Sequence, residues 1–80
     1  MMEIPSINTV ATGQNINRLR IAAGLSVRDM QTVFGFSTPQ AIYKWQRGES
    51  MPSIDNLAAL AAVLNVKVDE LLVFRSDGRN

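Results

Sequence analysis

Four polar side chains recur at helical spacing near the middle of the 80-residue chain. They occupy positions i, i+3, i+4 and i+7, and they are Gln40, Tyr43, Lys44 and Arg47. On a helix this spacing places all four on one face. Glutamine can form two hydrogen bonds with the edge of adenine, lysine can reach a guanine acceptor or a phosphate, and tyrosine offers a hydroxyl group and an apolar ring. The set therefore indicates a helical face suited to nucleic acid.

The residue types on which most enzymes and metal sites depend are missing, since the chain has no histidine and no cysteine. A Ser-His-Asp triad, a thiol nucleophile and an ordinary zinc site are therefore excluded. A paired-carboxylate enzyme would need a deep cleft, which a helical domain of this size seldom has. We expect no enzymatic activity, no metal and no cofactor.

Length and composition predict one small domain with a single core. Of the 80 residues, 46% are hydrophobic and 19% are charged, which is too apolar for a disordered chain. No apolar run reaches the roughly 18–20 residues of a membrane span, and the first ten residues lack the features of a signal peptide. Because the absence of cysteine also fits a reducing compartment, we expect a cytoplasmic protein with no membrane partner.

The net charge of +1 is unevenly distributed along the sequence. Residues 13–48 contain five basic side chains and one acidic side chain, a net charge of +4. The remaining residues contain three basic and six acidic side chains, a net charge of −3. A basic half beside an acidic half favours an orientation toward a polyanion. Chance clustering of solvated charges is the alternative.

Glycines and capping residues divide the chain into five predicted short helices. Apolar spacing predicts the first over residues 13–23, with Gly24 as the terminating residue. Ser26 and Asp29 resemble a capping box that begins a second helix over residues 27–34.

The third predicted helix carries the polar face described above. Thr38 can cap it, and Pro39 is expected at its first helical position, where a missing N–H costs no hydrogen bond. The helix is expected to end at Arg47. Ile42 and Trp45, three residues apart, are expected to face the core, with Trp45 as an anchor rather than a platform for base stacking.

Two further helices complete the predicted fold. Ser53 caps a fourth, and Asp69 and Glu70 begin a fifth that carries the following leucines. No strand pattern competes, so the predicted fold class is all-α, with a helix-turn-helix at about residues 26–47. The expected division of the chain is an N-terminal arm at 1–11, the domain at 12–74 and a frayed tail at 75–80.

Several short motifs stand at mutually consistent distances along the chain. They are Gly24-Leu25-Ser26, Gly35, the run IYKWQRG at 42–48, Pro52 and the run DELL at 69–72. Together they resemble the Xre family, the lambda-repressor and Cro type of helix-turn-helix, over residues 12–73. The resemblance implies a compact five-helix domain, sequence-specific DNA binding as a homodimer and transcriptional regulation, mainly repression. It also implies a bacterial or phage origin and a place at the nucleoid.

The resemblance also implies which residues contact DNA when the third helix, at about 38–47, enters the major groove. The expected base contacts are Thr38, Gln40, Tyr43 and Lys44. The expected phosphate contacts are Arg20, Ser26, Val27, Arg28, Ser37 and Arg47. Arg47 and Ser50, which flank the loop after the third helix, are the weaker phosphate candidates. The N-terminus of the second helix is favourable for an anion because of its free N–H groups and dipole.

This chain departs from the family pattern at three places. Gln31 stands where the family usually has a small residue, and the turn at residues 35–38 is one residue longer than its common form. Both features predict a tilt or shift of the third helix. Gln46 stands where many members have an acid that pairs with the arginine of the first helix. Arg20 is therefore expected to turn to the phosphate backbone or to Glu49.

A protein-binding module is the alternative function, in the form of an antitoxin that neutralises a toxin with or without DNA binding. The low net charge and four apolar side chains expected at the surface support it. These side chains are Val27, Val33, Phe36 and Tyr43. A toxin gene beside this one would favour the alternative, whereas an isolated gene or a neighbouring integrase gene would favour a repressor.

Overall fold

Five helices account for most of residues 5–75, the part of the chain that this computed structural model describes. They are α1 (Thr9–Ala22), α2 (Val27–Phe34), α3 (Gln40–Arg47), α4 (Ile54–Leu64) and α5 (Val68–Leu71). The β-structure within this range is one isolated antiparallel pairing, between Ile7 and Phe74. The predicted all-α fold class is therefore confirmed. Across the described range, no helix combines the length and the apolar character that a membrane crossing requires.

Helix α1 begins four residues earlier than the sequence pattern predicted. The Asn8 side chain accepts a hydrogen bond from the Ala11 N–H at 3.0 Å and caps the helix. Residues 9–11 of the expected arm are therefore the first turn of α1. The residues just before it are extended, and the Asn8 N–H donates to the Val73 carbonyl at 2.8 Å. Beyond Arg75, the expected frayed tail lies outside the described residues, and the division into arm, domain and tail stays a prediction.

The core draws at least one buried side chain from every helix. Its members are Ile16, Met30, Ile42, Trp45, Leu60, Ala61, Leu64 and Leu71. Thr12 is a fully buried polar residue, and its hydroxyl group both accepts from the Val73 N–H at 2.9 Å and donates to the Val73 carbonyl at 3.3 Å. Because a buried hydroxyl without partners is costly, these bonds fasten the end of the domain to α1.

The ends of α2 are those that the sequence predicted. The Asp29 N–H donates to the Ser26 hydroxyl at 2.9 Å, and the Ser26 N–H donates to the Asp29 carboxylate at 2.8 Å. This is a complete capping box. Gly35 then ends the helix with φ of 69°.

Helix α4 is also confirmed, with Ser53 as its cap. Helix α5 is shorter than expected, because Leu72 already has extended backbone.

Helix α1 supports α3 through a close approach of the two backbones. A Cβ atom placed on Gly13 would lie within 3 Å of the carbonyl oxygens of Trp45 and Gln46. A Cβ atom on Gly48, which follows α3 directly, would lie 2.7 Å from the Val10 Cα atom. Only glycine fits such contacts without displacing backbone. The two glycines therefore fix where α3 lies on the rest of the domain.

Candidate nucleic-acid interface

Helix α3 begins at Gln40, later than the sequence suggested. Pro39 was expected at the first helical position, but it is the N-cap residue, with ψ of 5°, and its carbonyl accepts from the Tyr43 N–H at 3.1 Å. Thr38 was expected to cap the helix. Its hydroxyl group accepts from the Gln40 N–H at 3.4 Å, a long hydrogen bond that leaves the N-terminus of α3 weakly capped. The predicted end at Arg47 is confirmed.

The polar face of α3 is exposed, as its spacing predicted. Gln40, Tyr43, Lys44 and Arg47 all lie at the surface, whereas Ile42 is fully buried. At 3.6 residues per turn, the four exposed positions fall within an arc of roughly 100° and a length of about 10 Å. This arc is narrow enough to enter a major groove, which admits one α-helix. The other predicted contacts Ser37, Thr38 and Ser50 are also exposed.

An aromatic cluster anchors the buried side of α3 to the rest of the domain. Trp45 is 3% exposed and makes edge-to-face contacts with the rings of Phe34 and Phe36. Its ring centroid lies 5.6 Å from that of Phe34 and 5.8 Å from that of Phe36, both at steep angles, and the two phenylalanines stack at 5.3 Å. Such pairs contribute beyond their buried area. The anchor role predicted for Trp45 is therefore confirmed.

Two of the four apolar residues expected at the surface are packed instead. Phe36 lies in the aromatic cluster, and Val27 also packs against the core. The expectation of exposure was wrong for both: Phe36 contacts the rings of Phe34 and Trp45, and Val27, the first residue of α2, is partly buried against the core. Val33 and Tyr43 are exposed as expected, at 57% and 39% of their surface.

Gln31 holds the turn that joins α2 to α3. Its side-chain amide donates to the Phe36 carbonyl at 3.2 Å, and its own carbonyl accepts from the Phe36 N–H at 3.0 Å. The half-buried glutamine thus satisfies both polar backbone groups of one turn residue. Gln31 and the turn are therefore joined by two hydrogen bonds to one residue, Phe36.

The N-terminus of α2 presents the predicted phosphate contacts Ser26, Val27 and Arg28. The Ser26 hydroxyl and N–H are committed to the capping box with Asp29. The hydrogen bond from the Ser26 N–H, reinforced by the hydroxyl, lowers the pKa of Asp29 below its usual value. The N–H groups of Val27 and Arg28 belong to the first turn, where a helix offers no partner of its own. These two N–H groups and the exposed Arg28 side chain are the donors left for an anion.

Arg20 is held by the protein itself. Its guanidinium donates to the Gln46 side-chain oxygen at 3.1 Å, to the Leu25 carbonyl at 2.6 Å and to the Asn17 side-chain oxygen at 2.7 Å. The expected turn toward Glu49 is wrong, because Glu49 pairs with Arg47. Arg20 thus joins α1, the α1–α2 connection and α3, and we leave it out of the proposed phosphate contacts.

Arg47 and Glu49 form an ion pair that the sequence reasoning missed. The two residues are two positions apart, a spacing that does not bring side chains together on a helix, but Gly48 between them has φ of 73° and turns the chain. The hydrogen bond with Arg47 lowers the pKa of Glu49, and the positive charges of Arg47 and Lys44 act in the same direction. The pair is about half exposed.

Neither a metal site nor a pocket accompanies this surface. Within residues 5–75, no three acidic side chains lie together in a way that could hold a metal ion, and no pocket is found. The candidate interface is therefore a convex helix face with charged and amide groups, supported by apolar packing.

Comparison with known families matches the helix-turn-helix family over residues 16–71. No curated protein matches the chain. Among solved structures, the restriction-modification controller protein C.AhdI from Aeromonas hydrophila is 30% identical, with a TM-score of 0.71 over 80% of this chain and 96% of that one. The S. venezulae BldD DNA-binding domain is 26% identical, with a TM-score of 0.69 over 81% and 96% of the two chains. The clp gene regulator ClgR from C. glutamicum, at 21% identity and a TM-score of 0.67 over 79% and 80%, shares the fold.

Proposed function

The chain belongs to the helix-turn-helix family of non-enzymatic DNA-binding regulators, and from this premise we propose that α3 enters the major groove and reads a specific DNA sequence. The observation that carries the proposal is the exposed polar face of α3 on a rigid apolar support. The groove width and the helix diameter are matched. The similarity to a controller protein and to a DNA-binding domain supports it.

The proposed base contacts are the residues at the N-terminal and central part of α3. Gln40 would pair with the edge of adenine and Lys44 with a guanine acceptor, while Tyr43 contacts a thymine methyl group or a sugar. Thr38 precedes the helix and completes the set. Phosphates would bind the N–H groups of Val27 and Arg28, the Arg28 side chain, the Ser37 hydroxyl group and Arg47. Ser26 is left out of the proposed contacts because its hydroxyl group and its N–H are committed to the capping box.

We further propose that the protein acts as a homodimer and a repressor. Two α3 helices related by a twofold axis would read two half-sites about one helical turn, roughly 34 Å, apart. A palindromic site upstream of its own gene would place the protein at the nucleoid in the cytoplasm. The antitoxin alternative now depends on Val33 and Tyr43, since Val27 and Phe36 are packed into the domain.

Selection of fragmented genomic DNA by the purified protein, at about 0.15 M salt, tests the proposal. We expect recovery of a short palindromic sequence. Substitution of Gln40 by alanine should weaken its recovery, whereas substitution of Gln14, an exposed glutamine of α1, should not. Uniform weak retention of all fragments would contradict sequence-specific binding and direct the search toward a protein partner.

A further inference from the structure

The ion pair between Arg47 and Glu49 lies at the end of the proposed DNA-reading face. Arg47 is the last residue of α3 and shares that face with Lys44. After Gly48, the chain turns back, and the Glu49 N–H donates to the Lys44 carbonyl at 2.9 Å. This bond fixes the backbone of Glu49 beside α3, so that its side chain returns to Arg47.

The two side chains meet in a forked geometry. The Arg47 Nε donates to one carboxylate oxygen of Glu49, and a terminal nitrogen of the guanidinium lies 3.4 Å from the other oxygen. A DNA phosphate offers a guanidinium the same pair of acceptor oxygens. Glu49 therefore occupies one of the two edges of the Arg47 guanidinium that a phosphate could use.

A DNA phosphate can replace the Glu49 carboxylate as the acceptor of the Arg47 guanidinium. The side chains of Arg47 and Glu49 are 53% and 51% exposed, so a phosphate can reach the guanidinium without any unfolding of the domain. Exposed ion pairs are also weak, which means that Glu49 competes with phosphate but does not exclude it. Once displaced, the carboxylate still lies near the DNA backbone and repels it.

We propose that Glu49 is a built-in competitor of DNA phosphate at Arg47, which lowers the affinity of the protein for DNA of any sequence. This inference rests on the proposed function. The effect is confined to contacts with the backbone, so α3 must obtain a larger share of its binding energy from base edges. The protein therefore dissociates faster from DNA that lacks its specific sequence.

The test compares four proteins on one mixed-sequence DNA duplex: the wild type, Glu49→Gln, Arg47→Gln and the double variant. Fluorescence anisotropy gives Kd at several salt concentrations between about 50 and 200 mM. Asp69→Asn, which removes an exposed carboxylate of α5, is the charge-matched control. Thermal unfolding of each variant separates an effect on binding from an effect on stability.

We expect Glu49→Gln to bind the duplex about two- to five-fold more tightly than the wild type, in line with the strength of exposed pairs. The slope of log K against log salt should become steeper by no more than about 0.9, the value for one whole added phosphate contact, because Arg47 already reaches phosphate in part of the wild-type complexes. The gain should disappear in the Arg47→Gln background and should not occur in Asp69→Asn.

Three results would overturn the inference: no gain with Glu49→Gln, an equal gain with Asp69→Asn, or a gain that persists without Arg47. A lower Tm without tighter binding would likewise assign the pair to the stability of the α3 end alone. If even the wild type fails to bind the duplex at the lowest salt concentration, the proposed DNA binding itself is wrong. Failure of the proposed function and failure of the inference thus give different results.

Discussion

The guanidinium of Arg20 and the side-chain amide of Gln46 connect α1 to α3 through a hydrogen bond of 3.1 Å. Arg20 also binds the Leu25 carbonyl just before α2, so one side chain links the three helices that must keep a fixed arrangement on DNA. Its partner on α3 is neutral. The positive charge of Arg20 therefore remains uncompensated by that partner, which distinguishes this chain from a version with an acid at position 46.

Substitution of Gln46 by glutamate should stabilise the domain. The half-buried Arg20 would gain a charged acceptor at the same place, and we expect the free energy of unfolding to rise by about 0.5–1 kcal/mol near neutral pH. Urea unfolding measures the change. Protonation of the new carboxyl group should remove the gain as the pH falls below about 4. A gain that persists at acid pH, or a loss at neutral pH, would contradict the expected pairing.

Substitution of Gly13 by alanine should destabilise the domain, although alanine is the better helix former. Propensity alone favours alanine by about 1 kcal/mol. The new Cβ atom, however, would lie within 3 Å of two carbonyl oxygens of α3, and the backbones must separate. We expect a net loss of about 1–3 kcal/mol in the free energy of unfolding. Gln14→Ala, at the exposed neighbouring position, should change it by less than about 0.5 kcal/mol.

Removal of the Gln31 amide should also cost stability. Gln31→Ala loses the hydrogen bond to the Phe36 carbonyl, and we expect the free energy of unfolding to fall by about 0.5–1.5 kcal/mol. Thr32, an exposed neighbour on α2, provides the control position, because alanine there leaves the turn untouched. An unchanged stability for Gln31→Ala would show that the turn is held by its aromatic contacts alone.

The capping box of α2 should make stability depend on pH. Because the pKa of Asp29 is lowered by its hydrogen bonds with Ser26, the ionised carboxylate stabilises the folded state above the pKa of the unfolded chain, about 3.9. This contribution is lost as the pH falls through the lower pKa of the folded state. Asp29→Asn should therefore be less stable than the wild type near neutral pH, with a smaller difference near pH 2. Urea unfolding at both pH values checks the sign, and an equal difference at both would contradict it.

Gln40 should contribute to sequence preference rather than to general affinity. In the proposed complex, Gln40→Ala loses about 1–3 kcal/mol of binding free energy and relaxes the preference at one base pair. Competition between the selected site and its single-base variants measures both effects. An equal loss on every sequence would instead make Gln40 a residue that positions the protein on the backbone.

The sequence predicted the fold well where local chemistry decides the outcome. The Ser26–Asp29 capping box and Gly35 stand directly at the two ends of α2. The limits of this helix therefore followed from residue types alone. The start of α1 did not, because its cap, Asn8, precedes the apolar repeat that marked the helix. The packing of Phe36 likewise depends on Trp45, which lies on the next helix, and no local pattern reveals that contact.

The exposed face of α3 was predictable for the same local reason, since the burial of Ile42 and Trp45 leaves the opposite side to solvent. The ion-pair partners of the charged residues near this face were not predictable in that way. Whether Glu49 faces Arg20 or Arg47 depends on the turn at Gly48 and on how closely α1 approaches α3. Such choices are made by tertiary packing, which spacing along the chain does not encode.

The pairing of Ile7 with Phe74 brings the two ends of the described chain side by side. Ser6 and Arg75 are joined by a backbone hydrogen bond of 2.8 Å, so the path from Pro5 to Arg75 is almost a closed ring. A short peptide linker could complete that ring, with new termini opened in the loop between α3 and α4. Such a circular permutant would keep every helix and the whole reading face, because the order of the helices around the ring is unchanged.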